Sequence, residues 1–288
     1  MMKLSDLKVV KSIALLVIYV LIFSCTSNPL FKEDQVKSEQ ISGQILLDDE
    51  SNPDNIYVWL EGFNLSTFTD SQGRFTLSIP SPEARGLGSN FNGEVSLYFY
   101  VANYYIDSTT IIFANGRLLE DQAAVNSVGE LTATHTLRKM ASVVIFADQS
   151  LTNSNVLKVF IALTSIDYNI KVYSLRELLK YPQTGFIRTG LIIESLEGSQ
   201  LRIFLDRPES FLWSDVLIVN EPQQWTFDLN LETLGLPVGH YRIIPYLLFP
   251  QNGIPDGLLE SISSNVEEFD EDYLLLPLKR VGGEFAIE

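Results

Sequence analysis

The sequence predicts an all-β protein built as two consecutive β-sandwiches. Three observations carry this. Beyond residue 40 the apolar residues alternate with polar ones over short runs, which is the period of a strand with one buried face. The runs recur at near-regular spacing, with turn residues between them, as sandwich strands do. Only one run, "SLRELLKYP" from Ser174 to Pro182, reads as a helix. There Ser174 and Glu177 have capping-box spacing, and Leu175, Leu178 and Leu179 are available to pack.

In chain order, the first element is not part of the fold. Residues 1–24 carry lysines and then an apolar run from Ile13 to Phe23. That run is short for a transmembrane helix and suits a signal-peptide core. It ends at Ile22-Phe23-Ser24-Cys25, which resembles the bacterial lipobox: an aliphatic residue three before the cysteine and a small one just before it. Phe23 is bulkier than the usual middle residue. The resemblance implies cleavage before Cys25, a diacylglycerol thioether on its sulfur and a further acyl chain, of the palmitate kind, on its new amine. Two or more acyl chains give stable membrane attachment. Thr26 stands where an Asp commonly signals inner-membrane retention, so the resemblance implies the outer membrane of a bacterial cell envelope. Residues 25–40 are polar and without sustained period, and read as a tether.

Residues 41–139 form the first sandwich. "SGQILLDD" is a strand running into an acidic loop, Asp48 to Asn55. In "NIYVWLEG", Ile56, Val58 and Leu60 point one way and Tyr57 and Trp59 the other. "STFTDSQGRFTLSIP" reads as a hairpin: Asp70 caps its turn, Gly73 takes a positive φ, and Phe75, Leu77 and Ile79 share a face before Pro80. "EVSLYFYVANYYIDSTTIIF" and "GELTATHTL" supply the remaining strands. These residues resemble the carboxypeptidase regulatory-like family, whose pattern T-D-x-x-G-x-F-x-L is matched by Thr69, Asp70, Gly73, Phe75 and Leu77. The resemblance implies a transthyretin-like β-sandwich, an accessory module without catalytic residues to carry over. The chain departs from the pattern at Asn55, where Gly is common, at Asn103-Tyr104 in place of Gly-Tyr, and in the insertion "EARGLGSNFNG".

Residues 140–288 form the second sandwich. "ASVVIFAD", "LKVFIALTSI", "FIRTGLIIESL", "QLRIFLDRP", "SDVLIVN", "QWTFDLNL" and "HYRIIPYLLF" are its strands, and the last apolar run after "NVEEFDEDY" adds another. "LPVGHY", Leu236 to Tyr241, resembles the tyrosine corner of immunoglobulin-like sandwiches, in which the hydroxyl bonds back to nearby backbone.

The chemistry available is narrow. The net charge is −16, which repels phosphate backbones and argues against a nucleic-acid partner. Cys25 is the one cysteine, so no intrachain disulfide and no cysteine-rich zinc site form. His135 and His240 are the only histidines, and each stands in a strand-like run as a structural residue. The acidic clusters Asp48, Asp49, Glu50, Asp54 and Glu267, Glu268, Asp270, Glu271, Asp272 lack EF-hand spacing and read as solvated loops, with calcium left open. No cofactor motif is present. Tyr57, Trp59, Tyr98 and Tyr100 lie on the face opposite the first core. There they either stack on sugar rings or pack against the second sandwich or a partner chain. The expectation is a non-catalytic, lipid-anchored envelope protein with a structural, assembly or protein-binding role. A glycan-binding surface is the alternative, and a carboxylate enzyme in the second sandwich is the remote one.

Overall fold

Each strand forms where alternation lets one face be buried, and the computed structural model shows which face meets which. It describes residues 39–81, 91–121, 124–148, 155–166, 169–175, 190–197, 201–205, 213–218 and 222–288. The expected signal segment, Cys25, the expected tether up to residue 38 and most of the Gly-rich insertion lie outside these residues.

The first half contains β1 (Glu39–Leu47), β2 (Tyr57–Leu60), β3 (Leu65–Phe68), β4 (Arg74–Ile79), β5 (Gly93–Tyr100), β6 (Asp107–Ala114), β7 (Arg117–Leu118) and β8 (His135–Leu137). They form a five-stranded sheet, β3-β2-β5-β6-β7, over a three-stranded one, β4-β1-β8. The five-stranded sheet is antiparallel throughout, whereas β1 and β8 are parallel, with Ile45 opposite His135. Ile41, Ile45, Phe75, Leu77, Val58, Leu97 and Phe99 meet between the sheets. One expectation is corrected: β3 and β4 are not a hairpin. The turn between them carries the chain from one sheet to the other. Thr69 ties the start of this crossing to the loop before β2: its buried hydroxyl accepts from Ile56 N–H (2.9 Å) and donates to the Pro53 carbonyl (2.6 Å).

The second half contains β9 (Ala141–Asp148), β10 (Val156–Ser165), β11 (Ile170–Leu175), β12 (Leu191–Ser195), β13 (Arg202–Leu205), β14 (Trp213–Ile218), β15 (Gln223–Asn230), α1 (Leu231–Leu234), β16 (Gly239–Pro245), β17 (Leu247–Leu248), α2 (Leu258–Ile262), β18 (Val281–Gly282) and β19 (Glu284–Ile287). One sheet runs β15-β10-β9-β18. The other is read from its registers. Tyr173 of β11 opposes Leu248, and Leu191 of β12 opposes Pro245. Thus β11 and β12 lie end to end along β16 and β17, as two halves of one strand. The same holds for β14 and β13, where Trp213 opposes Leu175 and Leu205 opposes Leu191. With β19 beside β16, four rows face the first sheet. This is an immunoglobulin-like sandwich, and the fold as a whole is all-β.

The expected helix from Ser174 is not where the capping box placed it. Ser174 is paired in β11 with Ser214 on one side and Leu247 on the other, and Leu175 with Trp213; residues 176–182 lie outside the described residues. The helices that are described are shorter. Asn230 caps α1 by accepting from the Glu232 and Thr233 amides (3.0 and 3.3 Å), and Gly235 ends it at φ 59°.

Candidate functional site

The aromatic face was the sharpest expectation, and it is covered. Residues 249–278 leave β17, form α2 and a 3₁₀ turn at Asp272–Leu275, and return to β18. This excursion packs on the outer face of the five-stranded sheet. Tyr57, Trp59 and Tyr100 are 2%, 5% and 2% exposed, and Tyr98 is part-buried against the same cluster as Leu258, Phe269, Tyr273 and Leu276. The Tyr57 hydroxyl is 2.8 Å from Ser261 Oγ on α2. Tyr57, Trp59 and Tyr100 are therefore covered by this chain rather than open to a sugar ring, and Tyr98 is part-buried; Tyr57 tilts against Phe68 and Trp59 against Tyr98. Burial, with the charge of Glu267 adding, pushes the Tyr100 hydroxyl well above its usual range. It stays neutral at ordinary pH.

Asn103 fastens the two sandwiches. Its side chain is wholly buried. Its amide donates to the Ala141 and Lys279 carbonyls (2.9 and 3.0 Å), and its carbonyl oxygen accepts from Lys279 N–H (3.0 Å). It thus pairs with Lys279 as one peptide group pairs with another. Its backbone carbonyl takes the Met140 amide at 3.0 Å. A Gly at this position, as in the resembling family, offers none of these side-chain bonds. Gln251 makes a second clamp: it accepts from Ile106 N–H (2.9 Å) and donates to the Tyr104 carbonyl (3.0 Å).

The first acidic loop is bonded to protein donors. Asp49 receives Lys139 Nζ (2.6 Å), Tyr104 OH (2.9 Å) and Ser51 OH (2.6 Å), and Asp48 receives Lys139 N–H (2.9 Å). Desolvation alone would raise the Asp49 carboxyl. The bonds from Lys139, Ser51 and Tyr104 overrule it and bring it down to about 2. Asp54 pairs with Lys279. In the second cluster, Asp272 takes the Ser263 hydroxyl (2.6 Å) and Glu271 faces Arg202 (3.4 Å). Among the described residues no group of three or more His, Cys, Asp or Glu side chains is placed to hold a metal ion.

Asp70 and Gly73 shape the crossing turn. The Asp70 carboxylate accepts from the Gln72 and Arg74 amides (2.9 and 2.8 Å), and the Arg74 amide holds it below the usual carboxylate range. Gly73 has φ 74°. Asn55, where the family commonly has Gly, has φ 53°. Asn is the side chain that enters this region most readily after Gly.

The histidines are apart. His135 lies 2.8 Å from Asp107 and packs on Phe99, with ring centroids 4.7 Å apart. His240 is exposed, 4.0 Å from Glu197. The corner motif is present: Tyr241 OH donates to the Pro237 carbonyl at 2.6 Å, and its ring stacks on Phe285.

A cleft of about 640 Å³ opens beside the junction. Its charges are mostly internally paired: Glu194 receives both Arg242 (2.7 Å) and Arg202 (3.3 Å). Arg280 leans over the Tyr273 ring and bonds its hydroxyl at 3.1 Å, while its buried Nε has no hydrogen-bond partner among the described residues. Sequence reasoning missed Lys139, Lys279 and Arg280, which carry no local pattern. The one visible signal was the Asn103 departure.

No family model and no curated protein matches the chain. Among solved structures the chain is similar to the Bacillus anthracis TIE protein, at 9% identity and a TM-score of 0.22 over 72% of this chain and 45% of that one. It is also similar to a Streptococcal ancillary pilin, at 8% identity and a TM-score of 0.24 over 73% and 54%. The chain thus spans about half the length of the solved structures it matches.

Proposed function

We propose that this protein is a non-catalytic envelope lipoprotein with a structural, assembly or protein-binding role, held to the outer membrane through acyl chains on Cys25. The single observation that carries the structural role is the covered aromatic face. The chain uses this aromatic surface, and its buried Asn103, to join one sandwich to the other. That construction suits a stiff body that positions something else. In this reading the first sandwich is a carboxypeptidase regulatory-like accessory module, supported by the T-D-x-x-G-x-F-x-L match and by the left-handed Asn55. The anchor reading rests on the lipobox alone.

The test is to grow cells with a fatty-acid analogue and compare the full chain with Cys25→Ala. The expected result is label on the wild type, none on the variant, and release of the variant from the membrane fraction. Equal labelling of the two would overturn the anchor.

A further inference from the structure

Among the described strands, β15 is the last of its sheet. β10 pairs with it along its whole length, from Val156 opposite Asn230 to Leu163 opposite Gln223. Among the described residues no strand pairs on its other side. A strand edge presents unpaired N–H and C=O groups, and proteins usually blunt it with Pro, Lys, a bulge or short length. β15 has none of these: it is eight residues, QQWTFDLN, in unbroken register. Its core-facing side is also unfinished. Trp225, Phe227 and Leu229 point inward yet remain only part-buried, whereas Leu157, Val159, Ile161 and Leu163 of the neighbouring strand are all 0% exposed.

We propose that β15 is a homodimer seam, pairing antiparallel with β15 of a second copy about a two-fold axis through Phe227. The occupant is identified by self-complementarity. In this register Trp225 faces Leu229 of the second copy, Phe227 faces its own mate, Thr226 faces Asp228 and Gln224 faces Asn230. Every apolar residue meets an apolar one. The only charge, Asp228, meets a hydroxyl, and its neighbour on β10 is Lys158, so the seam is locally neutral although the chain carries −16. Shifting the register two residues one way, which moves the axis to Thr226, sets Leu229 against Gln223. Sliding it the other way sets the two Asp228 side chains against each other, which is destabilising. The union is a continuous eight-stranded sheet, four strands from each copy.

The experiment uses the full chain in mild detergent, with all variants made on Cys25→Ala so that the outcome is independent of lipid attachment. Phe227→Cys places two sulfurs on the axis, where paired Cα atoms about 4.5–5.5 Å apart suit a disulfide. Trp225→Cys faces Leu229 instead. The expected result is an oxidised dimer for Phe227→Cys and none for Trp225→Cys. Thr226 is exposed, so its variants leave the core alone. Thr226→Glu sets two like-charged pairs across the seam and weakens association roughly tenfold, while Thr226→Lys tightens it by a similar factor. Sedimentation of all variants reads this. A parent chain that stays monomeric up to its solubility limit, equal association of the Glu and Lys variants, or equal cross-linking of the two cysteine variants would each overturn the proposal.

Discussion

Gly73 sits at a corner where backbone and side-chain demands coincide. Its φ is 74°, and a Cβ there would drive into the Ile45 carbonyl oxygen and press on Pro53. The Ile45 amide also donates to the Gly73 carbonyl at 2.8 Å, so the turn cannot simply move away. Gly73→Val is expected to destabilise the full chain by about 1–3 kcal/mol from backbone strain alone, with the clash adding to it. A fall in the denaturant midpoint at unchanged slope is the measurement, and an unchanged midpoint would refute the assignment. Asp49 makes a pH-dependent contribution. Its carboxyl is ordinarily at 3.8 and is held at about 2 in the folded chain. A depressed folded value means stability that is fully present above the unfolded value and lost as pH falls toward the folded one. Wild type should therefore exceed Asp49→Asn in denaturant midpoint at pH 6. The difference should shrink below about pH 4, be largely gone at pH 2, where the folded carboxyl is about half protonated, and vanish only below that, where it is protonated in both states. A difference that persists unchanged at pH 2 would assign the effect to shape rather than charge.

At the scale of elements, the strands were the legible part, and the reason is the strict two-residue period. β9, β10 and β15 coincide closely with runs visible as alternation, because each has one face in a core and the other outside it; β16 was visible as an apolar run, its last three residues being buried in succession. β2 was legible for a different reason. Its residues are buried on both faces, yet the two faces differ in kind, aliphatic toward the first core and aromatic toward the second. Their partner was not legible, because the covering excursion at 249–278 has no sustained period; α2 has only five residues and the 3₁₀ turn four. Helices that short carry no helical repeat to read. The split of one strand into β11 and β12 was hidden too, since only the register with β16 and β17 joins the halves. The corner at Tyr241 was legible, because its bond to Pro237 is local in sequence. The long-range bonds of Asn103, Lys139 and Lys279 were not, because each partner lies far along the chain.

At the scale of the whole molecule, Gln40–Glu288 is one compact unit, although it contains two sandwiches. The first core draws only on residues 41–137. The second draws on its own sheets and also on Tyr57, Trp59, Tyr100 and Ala102 from the first. Removing the second sandwich would therefore return a band of aromatic surface to water. Each such ring buries roughly 150–250 Å², and apolar burial is worth about 25 cal/mol per Å², so the loss is of the same order as the stability of an ordinary domain. Asn103 would at the same time lose its Lys279 and Ala141 partners. The full chain is accordingly expected to unfold in one transition, with calorimetric and van't Hoff enthalpies equal. A fragment limited to residues 41–139 should melt well below the full chain, bind a hydrophobic dye and self-associate through the uncovered Tyr57, Trp59, Tyr98 and Tyr100 face. Two separate transitions in the full chain, with the fragment reproducing the lower one at the same temperature, would mean that the shared aromatic layer couples nothing and that the sandwiches are independent domains.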